Sequence, residues 1–160
     1  MSRTVVLLHG IGGGFWAPMM PALAGCDVLD WPLPGYHGSA PIAEMTFANI
    51  AIALRDALDA RGVAKADIVG HSIGGMVAQE FFVHFPERVR SLVLYATTPA
   101  FGGKDPSFAE TFLKARLGPL DQGLSMQEAA PQMLAGVAAD GTDPALVAPA
   151  IAALAAVEGG

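Results

Sequence analysis

The stretch Asp67-Ile68-Val69-Gly70-His71-Ser72-Ile73-Gly74-Gly75-Met76 constrains this chain more than any other. A short apolar run ends in Gly70, one hydroxyl follows, two glycines come next, and an amphipathic segment begins. That order reads as strand, very tight turn, helix. Glycines flank the serine because strand end and helix start approach so closely that a Cβ would collide. The spacing is G-x-S-x-G. In a strand-to-helix context it puts a serine in strained backbone, with Oγ exposed above a sheet beside a helix N-terminus. Ser72 is therefore the candidate nucleophile, and Gly70, His71 and Gly74 build the turn around it.

The flanking chain supplies that context. Val5–Leu8 is a continuous apolar run closed by His9-Gly10, which reads as a strand buried on both faces, as in parallel sheets. Ile11-Gly12-Gly13-Gly14 is a loop with accessible backbone N–H groups. A short helix is expected across Trp16–Ala24, with Pro18 in its first turn, Pro21 limiting its regularity and Gly25 closing it. Asp27–Trp31 reads as a strand, and Pro32-Leu33-Pro34-Gly35-Tyr36-His37-Gly38-Ser39 as a loop. Thr46 is a candidate N-cap. Phe47, Ile50, Leu54 and Leu58 then share one helical face up to Gly62. In the helix after Ser72, Ile73, Val77 and Phe81 recur every four residues until Pro86, and Leu92–Ala96 forms a fourth strand. Strands alternating with helices over residues 4–96 predict a parallel, doubly wound sheet. Ligands of such sheets bind at the carboxyl ends of the strands, where His9-Gly10 and Ser72 both lie.

Beyond Thr98 no strand pattern returns. Asp105-Pro106 is an N-cap and N1 pair, and Gly118-Pro119 marks an end. Ser125-Met126-Gln127-Glu128 is a capping box, with Pro131 expected to kink the helix it opens. Asp143-Pro144 begins an alanine-rich helical stretch interrupted by Pro149. The organisation is thus residues 1–100 as an α/β core and 101–160 as a helical cap or lid over the strand ends.

Composition sets the limits of function. With 160 residues, 52% of them apolar and 15% charged, the chain can bury a core and is not extended disorder. A net charge of −6 without a basic cluster argues against nucleic-acid or anionic-membrane partners. Cys26 is the single cysteine, so neither an internal disulfide nor a cysteine metal cluster can form, and it reads as a small buried hydrophobe. The apolar run at the N-terminus is too short for a signal peptide or a membrane span, which makes the cytoplasm the expected compartment. No metal and no cofactor are expected.

The pieces Leu7-Leu8-His9-Gly10, Leu33-Pro34-Gly35-Tyr36-His37-Gly38-Ser39, Gly70–Met76 and Phe85-Pro86-Glu87-Arg88-Val89 resemble, in order, those of the α/β-hydrolase superfamily. The wording is similar to small serine esterases, enol-lactonases and cofactor-free haloperoxidases. Serine at the elbow argues against the dehalogenase and epoxide-hydrolase members, where the resemblance would require aspartate. The resemblance implies cleavage of a small-molecule carboxylic ester or lactone through an acyl-enzyme on Ser72. It also implies an oxyanion hole of two backbone N–H groups: Ile73, and either Ile11 or Gly12 after the His-Gly pair.

The same resemblance exposes a gap. The family order is serine, then acid, then histidine. Here no histidine comes after His84, and the chain reaches Glu158-Gly159-Gly160 within the cap. The expectation is a sheet of about four mostly parallel strands with flanking helices plus an incomplete cap. Such a C-terminally truncated member would lack triad acid and histidine and be inactive alone. Exposed sheet edges would then favour self-association. His71 and His9 read as structural, and His84 lies too far along its helix. His37, in a loop near the strand ends, is the candidate substitute base. Asp30 and Asp67 read as solvated or turn-bonding. The Met19-Met20 and Phe81-Phe82 pairs read as core.

Other readings compete. The chain could be a non-catalytic remnant or small-molecule binding module that keeps a pocket without the chemistry. An acyltransferase can use the same Gly-His-Ser elbow. Gly12-Gly13-Gly14-Phe15-Trp16-Ala17 also fits G-x-G-x-x-A after a strand, with Asp30 placed to bind a ribose, which would make a dinucleotide-binding protein. Pro18 and Pro21 disturb the helix that reading requires.

Overall fold

In a computed structural model that describes residues 2–103, 106–136 and 138–156, the chain divides into two units, Met1–Pro99 and Ala100–Gly160. The first is built on four strands: β1 (Thr4–Leu8), β2 (Asp27–Trp31), β3 (Ala66–His71) and β4 (Val89–Tyr95). All pair in parallel, in the order β2-β1-β3-β4. The residue run Thr-Val-Val-Leu-Leu takes the centre because β-branched and leucine side chains suit a strand covered on both faces, and every residue of β1 is buried. β4 begins at Val89, earlier than the expected Leu92, because Arg90 and Ser91 extend the ladder through polar bonds to Asp67 of β3.

Alternation in β1 sorts the core into two layers. Val6 and Leu8 join Ile68 under the helices α1 (Phe47–Ala60) and α2 (Ile73–His84), where Leu54, Leu58, Val77 and Phe81 are wholly buried. Val5, Leu7 and Val69 face the other way, under Trp16, Met19 and Leu23. Within this first unit, among its described residues, no full helix covers that second face. The segment expected to be helical over Trp16–Ala24 narrows to a four-residue 3₁₀ turn, Met20–Leu23, because Pro18 and Pro21 remove backbone donors. With no helix behind the glycine loop, a phosphate has no helix N-terminus to bind, and the dinucleotide reading loses its scaffold. Thr46 caps α1 as expected, its Oγ1 accepting from the Asn49 N–H at 3.1 Å. Only one member of each expected core pair is interior: Phe81 is buried and Phe82 exposed, and Met19 packs while Met20 is exposed.

Asp67 corrects a second expectation. It is buried, and its carboxylate accepts from Arg3, Arg90 and Ser91, tying together the starts of β1, β3 and β4. Those charge-assisted bonds hold its pKa well below the usual carboxylate range.

The second unit contains α3 (Pro106–Asp121), α4 (Met126–Ala135) and α5 (Pro144–Ala155). Ala129, Ala130, Met133 and Leu154 form its core. The Ser125/Glu128 capping box is present, and Asp143 Oδ1 accepts from the Ala145 N–H at 2.9 Å. The expected N-cap Asp105 lies outside the described residues. Pro119, Pro131 and Pro149 neither end nor interrupt these helices but lie inside them. Each removes one helical hydrogen bond, a loss that packing against neighbouring helices outweighs. Among the described residues no helix is long and apolar enough to cross a membrane.

Candidate active site

Parallel register places the strand ends level. Leu8 pairs with Gly70, and Gly70 with Leu94. The residues just beyond those pairs, Gly10, Ser72 and the Tyr95–Thr98 segment, therefore converge on one rim.

Ser72 sits between β3 and α2 at φ 53° and ψ −120°. A side-chain-bearing residue enters that region only where its surroundings over-determine it. Three glycines provide the room. A Cβ on Gly70 would lie 2.6 Å from Gly75 Cα, and one on Gly75 would lie 2.6 Å from Thr97 Cβ. A Cβ on Gly74 would meet the Leu8 and His9 carbonyls. Gly74 thus lets α2 rest directly on the end of β1, which brings the loop after His9 beside the serine. A Cβ built on Gly10 would lie 3.3 Å from Ser72 Cβ.

That loop turns tightly. The Gly13 N–H donates to the Gly10 carbonyl at 2.9 Å, with Gly13 at φ 82°. Ile11 and Gly12, at the tip, have N–H groups without an acceptor among the described residues. Ile73 opens α2, so its N–H has no intrahelical acceptor either. The three candidate donors are therefore at the same strand-end rim as Ser72.

His9 pins the loop from below. The Leu33 N–H donates to His9 Nε2 at 3.0 Å, so Nε2 carries no proton. Nδ1 must then hold it and donate to the Gly10 carbonyl at 2.7 Å. The bond from Leu33 needs the neutral ring, since a protonated Nε2 could not accept. Burial, the largest influence, also pushes the His9 pKa down. His9 is a strut joining the loops after β1 and β2, consistent with its structural reading.

The other histidines are dispersed. His71 is half-buried and stacks on Tyr95, with ring centroids 4.8 Å apart and planes at 17°, and burial lowers its pKa. His84 is exposed and bonds Glu80 Oε1 at 3.0 Å. His37 is exposed, holds φ 49° and lies edge-on to His9 at 5.6 Å. Among the described residues no hydrogen bond links Ser72 Oγ to any histidine, His37 included. Asp30 accepts from the Trp16 indole at 3.1 Å, a role that fills the position suggested for a ribose-binding acid. No group of three or more His, Cys, Asp or Glu able to hold a metal occurs among the described residues.

Two residues of this rim escape the sequence reading. The Tyr95 carbonyl accepts from the Ser72 N–H at 3.2 Å, and Thr97 Oγ1 donates to the Ser72 carbonyl at 2.6 Å. Their one signal in the sequence is position: they come at the end of the last strand, at the carboxyl edge.

A parallel sheet with a strained serine between strand and helix, facing a glycine loop at the neighbouring strand end, defines the class. The chain belongs to the α/β hydrolase fold family, whose profile matches residues 3–140. It is 39% identical over 102 residues to a pimeloyl-[acyl-carrier protein] methyl ester esterase from Chromobacterium violaceum, covering 61% of this chain and 38% of that one. It is 33% identical over 119 residues to the dihydrolipoyllysine-residue acetyltransferase component of an acetoin cleaving system from Cupriavidus necator, covering 72% and 32%. The crystal structure of a hydrolase from Pseudomonas aeruginosa superposes with a TM-score of 0.78 at 27% identity, over 98% of this chain and 60% of that one. The chain spans about a third of the length of these two curated relatives.

Proposed function

We propose that this chain carries the nucleophile and oxyanion elements of a serine hydrolase acting on a carboxylic ester or lactone. The observation that supports it most is Ser72 itself. Backbone strain at φ 53° is retained at a serine at the carboxyl end of a strand, on the same rim as three N–H groups that lack acceptors among the described residues. Ser72 Oγ attacks the substrate carbonyl carbon while its proton passes to a base. The developing oxyanion accepts from Ile73 N–H and from Ile11 or Gly12 N–H. The alkoxide leaves, protonated, and an ester of Ser72 remains. Water then adds to that ester, the carboxylic acid departs and Ser72 regains its proton. The esterase relative supports the ester class by its name.

The base is the missing part. With no histidine bonded to Ser72 among the described residues, the hydroxyl stays a weak nucleophile at neutral pH, and turnover by these residues alone is expected to be slight. Residues 101–160 would serve as a cap segment. That same absence favours a second reading, a binding module without turnover. The acetyltransferase relative supports a variant in which the acyl group leaves Ser72 for an acceptor other than water.

The test is p-nitrophenyl acetate hydrolysis and fluorophosphonate labelling, wild type beside Ser72→Ala. Labelling lost in Ser72→Ala supports the nucleophile. Equal labelling of both proteins sinks it. Labelling without turnover supports a chain that needs an external base, whereas serine-dependent turnover removes the binding-module reading and makes His37→Ala the next variant.

A further inference from the structure

We infer that Thr97 is a positioning residue: with the Tyr95 carbonyl it clamps the two peptides that flank Ser72 and keeps the serine in its strained conformation. The inference rests on the reading of Ser72 as nucleophile.

Ser72 leaves β3 with its N–H donating to the Tyr95 carbonyl, the last rung of the β3–β4 ladder. Its own carbonyl accepts from the Gly75 N–H at 2.9 Å and the Met76 N–H at 3.3 Å, the first bonds of α2. Those two bonds would exist in any helix start. The bond from Thr97 Oγ1, at 2.6 Å, is extra and comes from the segment beyond β4. A second tie runs parallel to it: Gln79 Nε2 donates to the Gly75 carbonyl at 3.0 Å and to the Thr98 carbonyl at 3.3 Å. The four residues after Leu94 therefore grip the turn at three points.

The grip is itself strained and closely fitted. Ala96, between the two gripping residues, holds φ 49°, which a non-glycine residue adopts at a cost. That conformation turns the chain so that the Tyr95 carbonyl meets the peptide before Ser72 and the Thr97 hydroxyl the peptide after it. Thr97 also packs its Cβ and Cγ2 where a side chain on Gly75 would lie, so Gly75 and Thr97 form a matched pair. Without the hydroxyl, the Ser72 carbonyl keeps only its helical donors, and nothing beyond β4 opposes rotation of that peptide toward an ordinary helix N-cap geometry. Oγ would then swing relative to the N–H groups of Ile73 and Ile11.

The test compares wild type, Thr97→Val and Thr97→Ser in the full chain. Thr97→Val keeps the shape and loses the donor, while Thr97→Ser keeps the donor. Two readouts are needed: the rate of fluorophosphonate labelling at Ser72, and hydrogen exchange of the Ser72, Gly75 and Met76 amides. Thr97→Val is expected to slow labelling about tenfold, the kinetic equivalent of one hydrogen bond. It should also speed exchange at those three amides, with exchange elsewhere unchanged and Thr97→Ser restoring both. Unchanged exchange in Thr97→Val overturns the clamp, whatever the labelling shows. Faster exchange with unchanged labelling, in a protein whose labelling vanishes in Ser72→Ala, overturns the positioning role while leaving the nucleophile intact. If labelling persists in Ser72→Ala, the nucleophile reading fails, and exchange alone decides whether Thr97 holds the turn.

Discussion

Gly74→Ala isolates the contact that brings the serine and the glycine loop together. In an ordinary helix this substitution stabilises by about 1 kcal/mol, because alanine loses less backbone entropy. Here the new Cβ would sit 2.5 Å from the Leu8 carbonyl carbon and 2.6 Å from the His9 carbonyl oxygen. Ordinary carbon contacts lie near ~3.5 Å, so α2 must retreat from β1 by about 1 Å. The obstacles are backbone atoms of a central strand paired on both sides, which cannot turn aside as a side chain would. Overpacking of this kind costs about 1–3 kcal/mol where side chains can yield, and the upper end or more applies to backbone. The clash therefore outweighs the propensity gain, leaving a net loss of about 2 kcal/mol. For a unit of this size that lowers the melting temperature by about 8–16 °C. Circular dichroism melts of wild type, Gly74→Ala and Gly62→Ala give the comparison. Gly62, at φ 67° with open space around it, should cost only about 1 kcal/mol of backbone strain. Gly74→Ala as stable as wild type, or more stable than Gly62→Ala, would refute the close approach of α2 to β1.

Two further outcomes concern the charged and titratable groups. The His9 pKa lies below its ordinary value of 6.5 in the folded chain, so the unfolded chain binds the proton more readily. Its stabilising effect is complete above about pH 6.5 and declines as pH falls. Burial, His37 and His71 oppose the charged ring, while the hydrogen bond to the Gly10 carbonyl and, more weakly, Asp30 favour it. Nitrogen NMR should show the Nδ1–H tautomer at neutral pH, and protection of the Leu33 amide, corrected for its intrinsic exchange rate, should fall as pH drops. A charged His9 at pH 7 would contradict the bond from the Leu33 N–H, because both ring nitrogens would then be donors. Asp67 has the lowered pKa of a salt-bridged carboxylate, so its contribution is present above about pH 4 and lost on acidification. Asp67→Asn should cost about 1–2 kcal/mol in urea melts, discounted because Arg3 and Arg90 are partly solvated, and the loss should shrink in about 1 M salt by screening. A loss independent of salt would show that packing, not charge, holds the strand starts together.

Short-range chemistry made much of this protein readable from its residues. Strand, turn and helix around Ser72 come from glycine placement, because a Cβ at Gly70, Gly74 or Gly75 has nowhere to go. The Thr46 cap and the Ser125/Glu128 box are local hydrogen bonds between residues three apart, so their partners are visible in the same window. Local rules misjudged Pro119 and Pro149, because a helix packed on its neighbours tolerates one missing bond that an isolated helix would not. They also misjudged Asp67, read as solvated, since its partners Arg3 and Arg90 lie 64 and 23 residues away. Thr97 and Tyr95 were invisible for the same reason. They are 25 and 23 residues from Ser72, and only the register of β3 against β4 sets them against its peptide. The serine's identity and its turn were written locally. What holds that turn, and which loop lies beside it, depended on strands pairing at long range, where the specificity resides in register and not in any short run of residues.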